Sequence, residues 1–478
     1  MSGGADGDRG DGLAALEARI AEDFARLNYP PNVWTPERTE PGGELLADVL
    51  IVGAGMNGLG AAFALRRLGV SNIRHIDASD EGFEGPWLSY ARMEYLRSPK
   101  HLTGPAQGIS SLTFRAWWEA QYGPDGWERL GYILREDWAR YLAWFGRVTG
   151  AKIESGTRLA ALYPSEGAVD ARLDGPGGAD RVLARQVVLA TGREGQARPR
   201  IPPAFAGHLG DGVQHSSEPL DVSALAGRRI VVVGLSASAF DNACVAAEAG
   251  ADVTLLGRAA ALPMVNKMKQ TVYPGFAHGF PDLPDHERLA WLRIVIAART
   301  APPRHTVQRA ARAGVKLYLG EETRAVTRKG GALILKTARS TYTADRVILG
   351  TGFSFDLSAD PALSALAGNI LLWRDVEGGA KEEDELLNCP ALGSGFELRS
   401  KHRADATGLH RIRCFTHAAQ PSLGNLANDI PQASEGADRL ARSIARALFL
   451  EDAATHRERL RSYSEPELFG DEITPSSP

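Results

Sequence analysis

Two glycine-rich turns carry the clearest chemistry in this sequence. The first spans residues 53–58 and reads GAGMNG, directly after the apolar run at residues 48–52. A glycine in the first position permits a tight turn, one in the second lets a pyrophosphate approach the backbone, and one in the third lets the next helix pack on the strand. Asp77 ends the following apolar run, where a carboxylate can accept a hydrogen bond from a ribose hydroxyl. The pattern predicts a dinucleotide site formed by Gly53, Gly55, Asn57, Gly58 and Asp77.

The second turn, at residues 234–239, reads GLSASA and again follows an apolar strand. Serine and alanine replace the second and third glycines, but both are small, and the hydroxyls of Ser236 and Ser238 can donate to a phosphate. Arg258 stands at the end of the next strand in place of an acid. An arginine there suits a 2′-phosphate, which favours NADP over NAD, although a solvated surface arginine is the alternative. The expected contacts are Gly234, Ser236, Ser238, Ala239 and Arg258.

Two further apolar strands end in a threonine-glycine turn. The segment 187–192 ends in Thr191 and Gly192, and the segment 347–352 ends in Thr351 and Gly352. Each pattern predicts a buried strand that leads into a tight crossing beside a cofactor. Candidate cofactor residues at these crossings are therefore Thr191, Gly192, Thr351 and Gly352.

The elements that must position these turns are strands alternating with helices. Strand, glycine turn, helix and strand follow one another twice, which is typical of two doubly wound α/β units. The chain has 478 residues, which is enough for two large domains or about three smaller ones. Its 44% hydrophobic and 23% charged residues are close to the globular average, which excludes a disordered chain.

Charge and hydropathy exclude several classes of partner. A net charge of −4 gives no basic footprint for nucleic acid. We expect no membrane association, because the sequence lacks an apolar run of about 18 residues. The Gly/Asp-rich start lacks the features of a secretion signal, which predicts a cytoplasmic protein. Cys244, Cys389 and Cys414 lie far apart, so we expect neither a metal site nor a dithiol centre.

The outer segments are less regular. We expect a mobile tail at residues 1–12, an amphipathic helix at 13–27 and a loop-rich stretch at 377–403. Helical spacing returns at 438–449, and the last ten or so residues are expected to be disordered. Residues 263–304 are interpreted either as a helical insertion with a solvated basic face or as a lid over the site. The basic residues concerned are Lys267, Lys269 and Arg293.

These segments together resemble the class B flavoprotein monooxygenases, which include flavin-containing monooxygenases, Baeyer–Villiger monooxygenases and amino-acid N-hydroxylases. The resemblance covers roughly residues 47–355. Four further segments support the resemblance. Residues 85–87, GPW, are similar to a GGxW segment, and residues 95–100, YLRSPK, are similar to a flavin-side loop. Residues 135–145 resemble a helix that carries YLxxF, and residues 345–353 resemble a DxxxLATGY motif.

The resemblance implies the fold, the cofactors and the domain order. It implies an α/β protein with two Rossmann-like (three-layer ββα) dinucleotide-binding domains, in which the NADPH-binding domain is inserted into the FAD-binding domain. FAD would bind the first turn and Trp87, and NADPH the second turn. The predicted parts are an N-terminal tail and helix at 1–46, the FAD domain at 47–220 and 341–478, including a C-terminal helix, and the NADPH domain at 221–340.

The implied activity is hydroxylation of a small molecule with FAD, NADPH and O2 through a C4a-(hydro)peroxyflavin. Our first hypothesis places the oxygen on the nitrogen of an amine or amino acid. Arg97, Ser98 and Lys100 are candidate catalytic residues, because their loop is expected to border the isoalloxazine, where cations stabilise negative charge. Structural roles are the alternative, namely ion pairs for the two cations and a turn hydroxyl for the serine.

Three other functions stay open. A ketone-oxidising Baeyer–Villiger enzyme would use the same cofactors, but seven residues separate Gly207 from His215 where its fingerprint has three. An NAD(P)H-dependent reductase or oxidase without oxygen insertion often carries a CxxC pair, which this sequence lacks. A protein that binds FAD without turnover is the third. Self-association, with the N-terminal helix as a subunit contact, is also left open.

Overall fold

The computed structural model describes residues 3–40, 42–193, 195–378, 384–402 and 408–473. The strands are β1 (Ala47–Val52), β2 (Ile73–Ile76), β3 (Arg158–Pro164), β4 (Val169–Gly175), β5 (Gly178–Leu189), β6 (Ala197–Pro199), β7 (Val213–His215), β8 (Arg229–Val233), β9 (Asp252–Gly257), β10 (Lys316–Leu319), β11 (Ala325–Lys329), β12 (Ala332–Lys336), β13 (Thr341–Ala344), β14 (Arg346–Leu349), β15 (Phe353–Phe355) and β16 (Ile412–Cys414). The α-helices are α1 (Gly3–Arg26), α2 (Met56–Arg67), α3 (Phe114–Arg129), α4 (Arg135–Val148), α5 (Ala237–Glu248), α6 (Pro274–Gly279), α7 (Asp285–Ala298), α8 (Arg304–Arg312), α9 (Pro361–Ser364), α10 (Trp373–Glu377), α11 (Gln420–Leu423), α12 (Ala433–Glu451) and α13 (Ala453–Ser462).

The first sheet is built around β1 and the long strand β5. β1 pairs in parallel with β2 on one side and with β5 on the other, and β16 adds in parallel to the end of β5. β4 and β3 continue the sheet as an antiparallel meander. Val49, Leu50 and Ile51 are fully buried, as expected for a parallel strand covered on both faces. Helix α2 packs against α12, where Gly60 lies close to Ala437.

The second sheet is entirely parallel, in the order β10, β9, β8, β14, β7. Helices α5 and α8 pack on it, and the antiparallel sheet β11-β12-β13 lies beside it. The predicted fold class, α/β with two Rossmann-like units, is therefore confirmed. The domain boundaries stay a prediction. Because β7 and β14 pair within the second sheet, we propose that the inserted unit extends beyond 221–340, from about residue 200 to about residue 352.

The chain crosses between the two sheets through a pair of adjacent strands. β6 leaves the first sheet and β15 returns to it, and they pair antiparallel with Phe353 opposite Pro199. His215 holds this crossing to the second sheet, because its Nε2 donates to the carbonyl of Gly352 at 3.0 Å. Its Nδ1 then serves as the acceptor for the Ser217 hydroxyl at 2.8 Å. The two units are thus joined by a short ribbon.

The N-terminal segment differs from its prediction. Residues 1–12 were expected to be a tail, but helix α1 begins at Gly3. Leu16 and Ile20 are buried against the helices that cover the first sheet, and Glu17 pairs with Arg147 of α4. Since tertiary packing supports this helix along its apolar face, it continues through a Gly/Asp-rich stretch of low helix propensity.

The insertion at 263–304 is helical and docks on the C-terminal part of the first unit. The guanidinium of Arg288 in α7 donates to the carbonyl of Ser422 at 2.8 Å. Arg293 pairs with Glu377 at 2.7 Å and Asp384 at 2.8 Å, so these carboxylates occupy its charge. Lys267 and Lys269 are exposed. The insertion is therefore helical with exposed lysines, as the first interpretation predicts, and a lid over the site stays a prediction.

The C-terminal region is irregular before it becomes helical. The described part of the predicted loop at 377–403 contains a single-turn 3-10 helix at Glu385–Asn388, while residues 379–383 and 403 lie outside the described residues. The predicted helix at 438–449 is longer and forms α12, followed by α13. Part of the expected disordered end, residues 474–478, also lies outside the described residues. In the described ranges, we find no helix with the length and apolar character of a bilayer span.

Candidate active site and cofactor clefts

The first glycine turn has the close contacts that the sequence predicts. Gly53 has a φ of 103°, and a Cβ there would lie 2.5 Å from the carbonyl oxygen of Ala190. A Cβ on Gly58 would lie 1.8 Å from the carbonyl oxygen of Gly53, so α2 approaches the strand end at a distance that only glycine allows. Gly55 ends the turn in an extended conformation as the N-cap of α2, without a side-chain cap. The helix N-terminus is therefore open for a phosphate.

The carboxylate of Asp77 is buried and fixed beside this turn. One oxygen accepts from the amide of Ala54 at 2.6 Å and the other from the amide of Ser79 at 2.8 Å. Each oxygen keeps a second lone pair for a ligand hydroxyl. The position therefore fits the predicted ribose contact.

Unpaired amide groups mark the same end of α2. The Asn57 amide donates to the carbonyl of Ala427 at 2.7 Å, but its buried Oδ1 has no partner. Both amide atoms of Asn428 are also buried without a partner. Buried polar groups are normally hydrogen-bonded, so these atoms indicate a polar ligand where the C-terminal segment meets the first turn. FAD, which carries polar groups along its length, fits this position.

Trp87 and the 191–192 turn lie at the edges of this cleft. Gly85, with a φ of 76°, brings its Cα to 3.7 Å from the position of a Cβ on Gly55, which places the Trp87 segment against the turn. The Thr191 hydroxyl accepts from the Gln196 amide at 3.2 Å. Gln196 is held in turn by the Thr416 hydroxyl at 2.5 Å. This network joins the ends of β5 and β16, so it fixes the turn that contains Gly192 as well.

The second glycine turn is equally tight but uses its side chains differently. Gly234 has a φ of 130°, and a Cβ there would lie 2.3 Å from the carbonyl oxygen of Gly350. The Ser236 hydroxyl donates to that carbonyl at 3.1 Å and accepts from the amide of Ala239 at 3.4 Å as the N-cap of α5. This hydroxyl is therefore a helix cap, which does not favour the predicted role as a phosphate donor. The Ser238 hydroxyl is exposed and donates to that of Ser216 at 3.1 Å.

Thr351 and Gly352 form the crossing rather than an open binding surface. The Thr351 hydroxyl donates to the carbonyl of Arg200 at 2.5 Å, and the Arg200 amide donates to the carbonyl of Gly352 at 2.8 Å. Their role in cofactor binding stays a prediction that the hydroxyl contact does not support.

Arg258 is exposed directly after β9. Among the residues that the structure describes, its guanidinium has neither a hydrogen bond nor an ion pair. The guanidinium is thus available to an anion, as the predicted 2′-phosphate contact requires.

The three candidate catalytic residues separate in the structure. The Lys100 ammonium donates to the carbonyl of Trp127 at 2.5 Å and lies 4.7 Å from the centre of the Trp127 ring. It caps the C-terminal end of α3, which indicates a structural role and argues against the catalytic one. Ser98 is half-buried. Arg97 is exposed and donates to the carbonyl of Ala301 at 2.7 Å, so it reaches from the first unit to the second.

Arg97 borders a cleft that contains further charges. The pKa of its guanidinium is lowered by burial, although the carboxylates of Asp241 and Asp429 act in the opposite direction. Part of the Arg97 side chain is exposed to water, and its bond to the Ala301 carbonyl shows that groups of both units surround the rest of it. Asp241 belongs to α5 of the second unit, and Asp429 to the C-terminal segment of the first. The cleft therefore lies where the two units meet.

Arg193 and His417 were missed by the sequence analysis. Arg193 follows the turn that contains Gly192, and its guanidinium donates to Nε2 of His417, three residues after the end of β16. Burial lowers the Arg193 pKa, with Arg97 acting in the same direction and Tyr90 in the opposite one. Both residues follow neighbouring parallel strands at their carboxyl ends, which is the edge where ligands bind in such sheets. That rule would have identified them, had the pairing of β16 with β5 been recognised.

The acids and the histidine of this cleft have shifted pKa values. Burial raises the pKa of Asp241 to about 7, against the lowering effect of Arg309, Arg97 and Arg135. Burial likewise raises the pKa of Asp429. The pKa of His417 is well below its ordinary value, because it is buried and lies next to the Arg193 charge. His417 is thus neutral, which lets its Nε2 accept the hydrogen bond from Arg193.

A comparison with known proteins identifies the family. Residues 47–274 match the family described as pyridine nucleotide-disulphide oxidoreductase. Over 463 residues the chain is 36% identical to the FAD-dependent urate hydroxylase of Xanthomonas campestris pv. campestris, covering 96% of this chain and 98% of that relative. The chain belongs to the class B flavoprotein monooxygenase group.

Solved structures with this fold include N-hydroxylases. An ornithine hydroxylase from Pseudomonas aeruginosa superimposes with a TM-score of 0.66 at 18% identity, covering 84% of this chain and all of that one. An ornithine N-hydroxylase from Kutzneria sp. 744, solved with reduced FAD, NADP+ and L-ornithine, has a TM-score of 0.62 at 15% identity, with 84% and 99% coverage. At these identities the likeness shows the fold.

Class B flavoprotein monooxygenases use FAD and NADPH, so the predictions of an FAD-dependent oxidoreductase and of this cofactor pair are confirmed. The assignment of individual residues to these cofactors remains a prediction. Within the described ranges, no three His, Cys, Asp or Glu side chains group as metal ligands.

Proposed function

We propose that this class B monooxygenase hydroxylates urate or a closely similar anionic heterocycle, with FAD, NADPH and O2. The observation that carries the proposal is the match to a relative named FAD-dependent urate hydroxylase, which extends over nearly the whole of both chains. The reaction consumes one O2 and one NADPH, with a proton. One oxygen atom enters the substrate and the other leaves as water.

FAD, when bound, takes the hydride from NADPH and activates oxygen for transfer to the substrate. This chain's own residues then have three tasks, which are to hold the cofactor, to hold the substrate and to exclude water. The first turn and Asp77 would hold FAD, since the close contacts of Gly53 and Gly58 and the open N-terminus of α2 suit its pyrophosphate. The second turn and Arg258 would hold NADPH.

Arg97 and Arg193 are proposed to hold the substrate. Urate is a planar anion near neutral pH, and a guanidinium can donate two parallel hydrogen bonds to such an edge. Arg193 is oriented by its bond to neutral His417, and Arg97 by its bond to the Ala301 carbonyl. Each guanidinium keeps further N–H groups for a ligand, since Arg carries five. The Arg97 charge lowers the pKa of Arg193, and an anion bound between the two guanidinium groups would relieve that repulsion.

Asp429 is the candidate for a proton acceptor in this cleft. Burial raises its pKa, and Arg97 partly opposes that shift. A carboxylate with a raised pKa is a stronger base than an exposed one, so it suits removal of a proton from a ring nitrogen of the substrate. In this proposal the proton moves from the ring N–H to a carboxylate oxygen of Asp429.

Hydroxylation of an amine nitrogen is the second candidate. It is our first hypothesis from the sequence, and the cleft acids Asp241 and Asp429 favour it because a carboxylate pairs with a cationic amine. The fold likeness to ornithine N-hydroxylases does not distinguish it from urate hydroxylation. Arg97 and Arg193 count against it, since they would repel a cationic substrate.

A substrate panel with the FAD-loaded enzyme tests the proposal. Urate is expected to stimulate NADPH oxidation and to gain one atom from isotopically labelled O2, measured by mass spectrometry. Ornithine, lysine and cadaverine serve as the amine set. Labelled hydroxylamine products from the amines, with no labelled product from urate, would establish hydroxylation of an amine nitrogen instead. NADPH oxidation that yields only hydrogen peroxide with every compound would overturn both.

Two variants connect the panel to the cleft. Arg193→Ala is expected to weaken urate binding by about tenfold or more, because a charge-assisted pair is lost. Arg193→Lys should recover part of that loss, since the charge returns without the planar fork. Arg172→Ala, an exposed residue of β4 on the far part of the sheet, is the matched control. Unchanged urate affinity in Arg193→Ala would remove Arg193 from the site.

A further inference from the structure

We propose that Arg339 joins Arg258 in binding the 2′-phosphate of NADPH, so that two guanidinium groups from different elements select this cofactor over NADH. Arg339 lies on the turn between β12 and β13, far from the glycine turns in sequence. The inference rests on the NADPH cleft and is independent of which substrate is hydroxylated.

The end of β10 lies next to the residues that flank Arg258. β9 and β10 are parallel neighbours, and their last residues, Gly257 and Leu319, lie opposite each other. Beyond the strands, the amide of Gly320 donates to the carbonyl of Ala259 at 2.9 Å, and the amide of Glu321 to that of Gly257 at 2.9 Å. Gly320 is therefore adjacent to the residues that flank Arg258, at the edge where the adenosine of a dinucleotide lies.

The guanidinium of Arg339 lies close to Gly320. A Cβ on Gly320 would lie 2.9 Å from Nη1 of Arg339, so the guanidinium lies over this glycine. Gly320 has a φ of 71°, and it has no side chain to keep the guanidinium away. Because Gly320 touches Ala259, Arg339 and Arg258 lie on the same edge of the second sheet.

The turn that carries Arg339 is held by hydrogen bonds to the carboxylate of Glu321. The Thr337 hydroxyl accepts from the amides of Arg339 at 3.2 Å and Ser340 at 2.9 Å. The same hydroxyl donates to one oxygen of Glu321, and the Ser340 hydroxyl donates to the other at 3.3 Å. Buried Glu321, the residue after Gly320, thus positions the turn over the end of β10.

The charges of Arg339 and Arg258 decide which kind of ligand fits this edge of the sheet. Some arginines of the second unit have carboxylate partners, as Arg309 does with Glu248 at 2.6 Å and Arg229 with Asp345 at 2.6 Å. Within the described part of the chain, the guanidinium groups of Arg339 and Arg258 have no hydrogen bond or ion pair, and both side chains are exposed. Two unpaired cations on one edge favour a dianion between them, and a ribose 2′-phosphate is such a group.

The test uses adenosine 2′,5′-bisphosphate and adenosine 5′-monophosphate as probes, with the FAD-loaded enzyme and isothermal titration calorimetry. The two probes differ only in the 2′-phosphate. In Arg339→Ala, the affinity for the bisphosphate should fall by about tenfold, because one charge-assisted contact is lost. The affinity for the monophosphate should stay within about twofold. Arg258→Ala should show the same selectivity.

Two further variants exclude a general effect. Arg312→Ala removes an exposed arginine in the last turn of α8, just before β10 begins, so it lies at the opposite edge of the sheet and should change neither affinity. Gly320→Ala adds a Cβ beneath the Arg339 guanidinium and should weaken the bisphosphate selectively. The inference is overturned if Arg339→Ala binds the bisphosphate as tightly as wild type, or if it loses both probes equally.

Discussion

The two glycine turns of this monooxygenase share one backbone plan and differ at each chemically important position. Gly55 corresponds to Ser236, Gly58 to Ala239 and Gly60 to Asp241, while Asp77 of the first unit has Arg258 as its counterpart. In both turns a Cβ on the first glycine would lie 2.5 Å or less from a backbone carbonyl oxygen, that of Ala190 for Gly53 and that of Gly350 for Gly234. The backbone of each turn therefore provides the phosphate site, whereas the residue at the end of the next strand decides which group faces the ribose.

The strongest test of this comparison is Gly58→Ala. The added Cβ would lie 1.8 Å from a backbone oxygen, so the helix must move, and the unfolding free energy should fall by about 3 kcal/mol or more. The purified variant is expected to lack FAD, as measured by the flavin absorbance per protein.

The reverse change, Ala239→Gly, is the matched control for the second turn. It should cost only about 0.5 to 1 kcal/mol, because alanine already fits there. Full FAD content in Gly58→Ala would show that the first turn tolerates a Cβ at this position as the second turn does. The expected difference between Gly58 and Ala239 would then be wrong.

Asp241 gives the next largest effect. Its pKa of about 7 lies above the ordinary 3.8, so the native protein holds this proton more tightly than the unfolded chain does. The unfolding free energy contributed by this group is therefore present below about pH 4 and is lost as the pH rises to about 7. Between about pH 5 and about pH 8, wild type should lose about 2 kcal/mol more than Asp241→Asn.

Urea denaturation at the two pH values measures that difference. Asp252→Asn, an exposed acid paired with Lys316 in the same unit, is the control and should follow the wild type. Parallel pH profiles of the unfolding free energy for wild type and Asp241→Asn would show that the pKa of the Asp241 carboxyl is not raised.

Arg258→Ala sharpens the contrast at the strand ends. The loss of a phosphate contact should raise the KM for NADPH by about tenfold and leave that for NADH unchanged. Steady-state oxidation of both nucleotides measures it. Equal losses for both would place Arg258 outside the phosphate site.

The smallest effect is expected from Ser236→Ala. The hydroxyl caps α5, so its loss should lower the unfolding free energy by about 1 kcal/mol, with little effect on NADPH affinity. Calorimetric unfolding together with NADP+ titration separates the two roles. A large loss of NADP+ affinity at unchanged stability would restore the predicted contact between this hydroxyl and phosphate.

Local sequence patterns predicted the turns but not the cleft between the units. Strand, turn and helix lie within about 30 residues of one another, so their spacing is visible in the sequence. Arg193 and His417 come together only because β16 pairs with β5 across more than two hundred residues of chain. Lys100 was expected in the site because its loop was, but its side chain turns to the end of α3. The loop that contains a residue therefore predicts roughly where the residue lies, whereas packing decides which way its side chain points.

The ribbon of β6 and β15 has a mechanical consequence. A single connecting strand would leave the NADPH-binding unit free to swivel, whereas two hydrogen-bonded strands resist torsion and stretching together. Such a ribbon bends most readily across its own face. The bond from His215 to the Gly352 carbonyl fastens this ribbon to the second sheet, and the inserted unit is held to the first unit a second time where Arg288 donates to the Ser422 carbonyl.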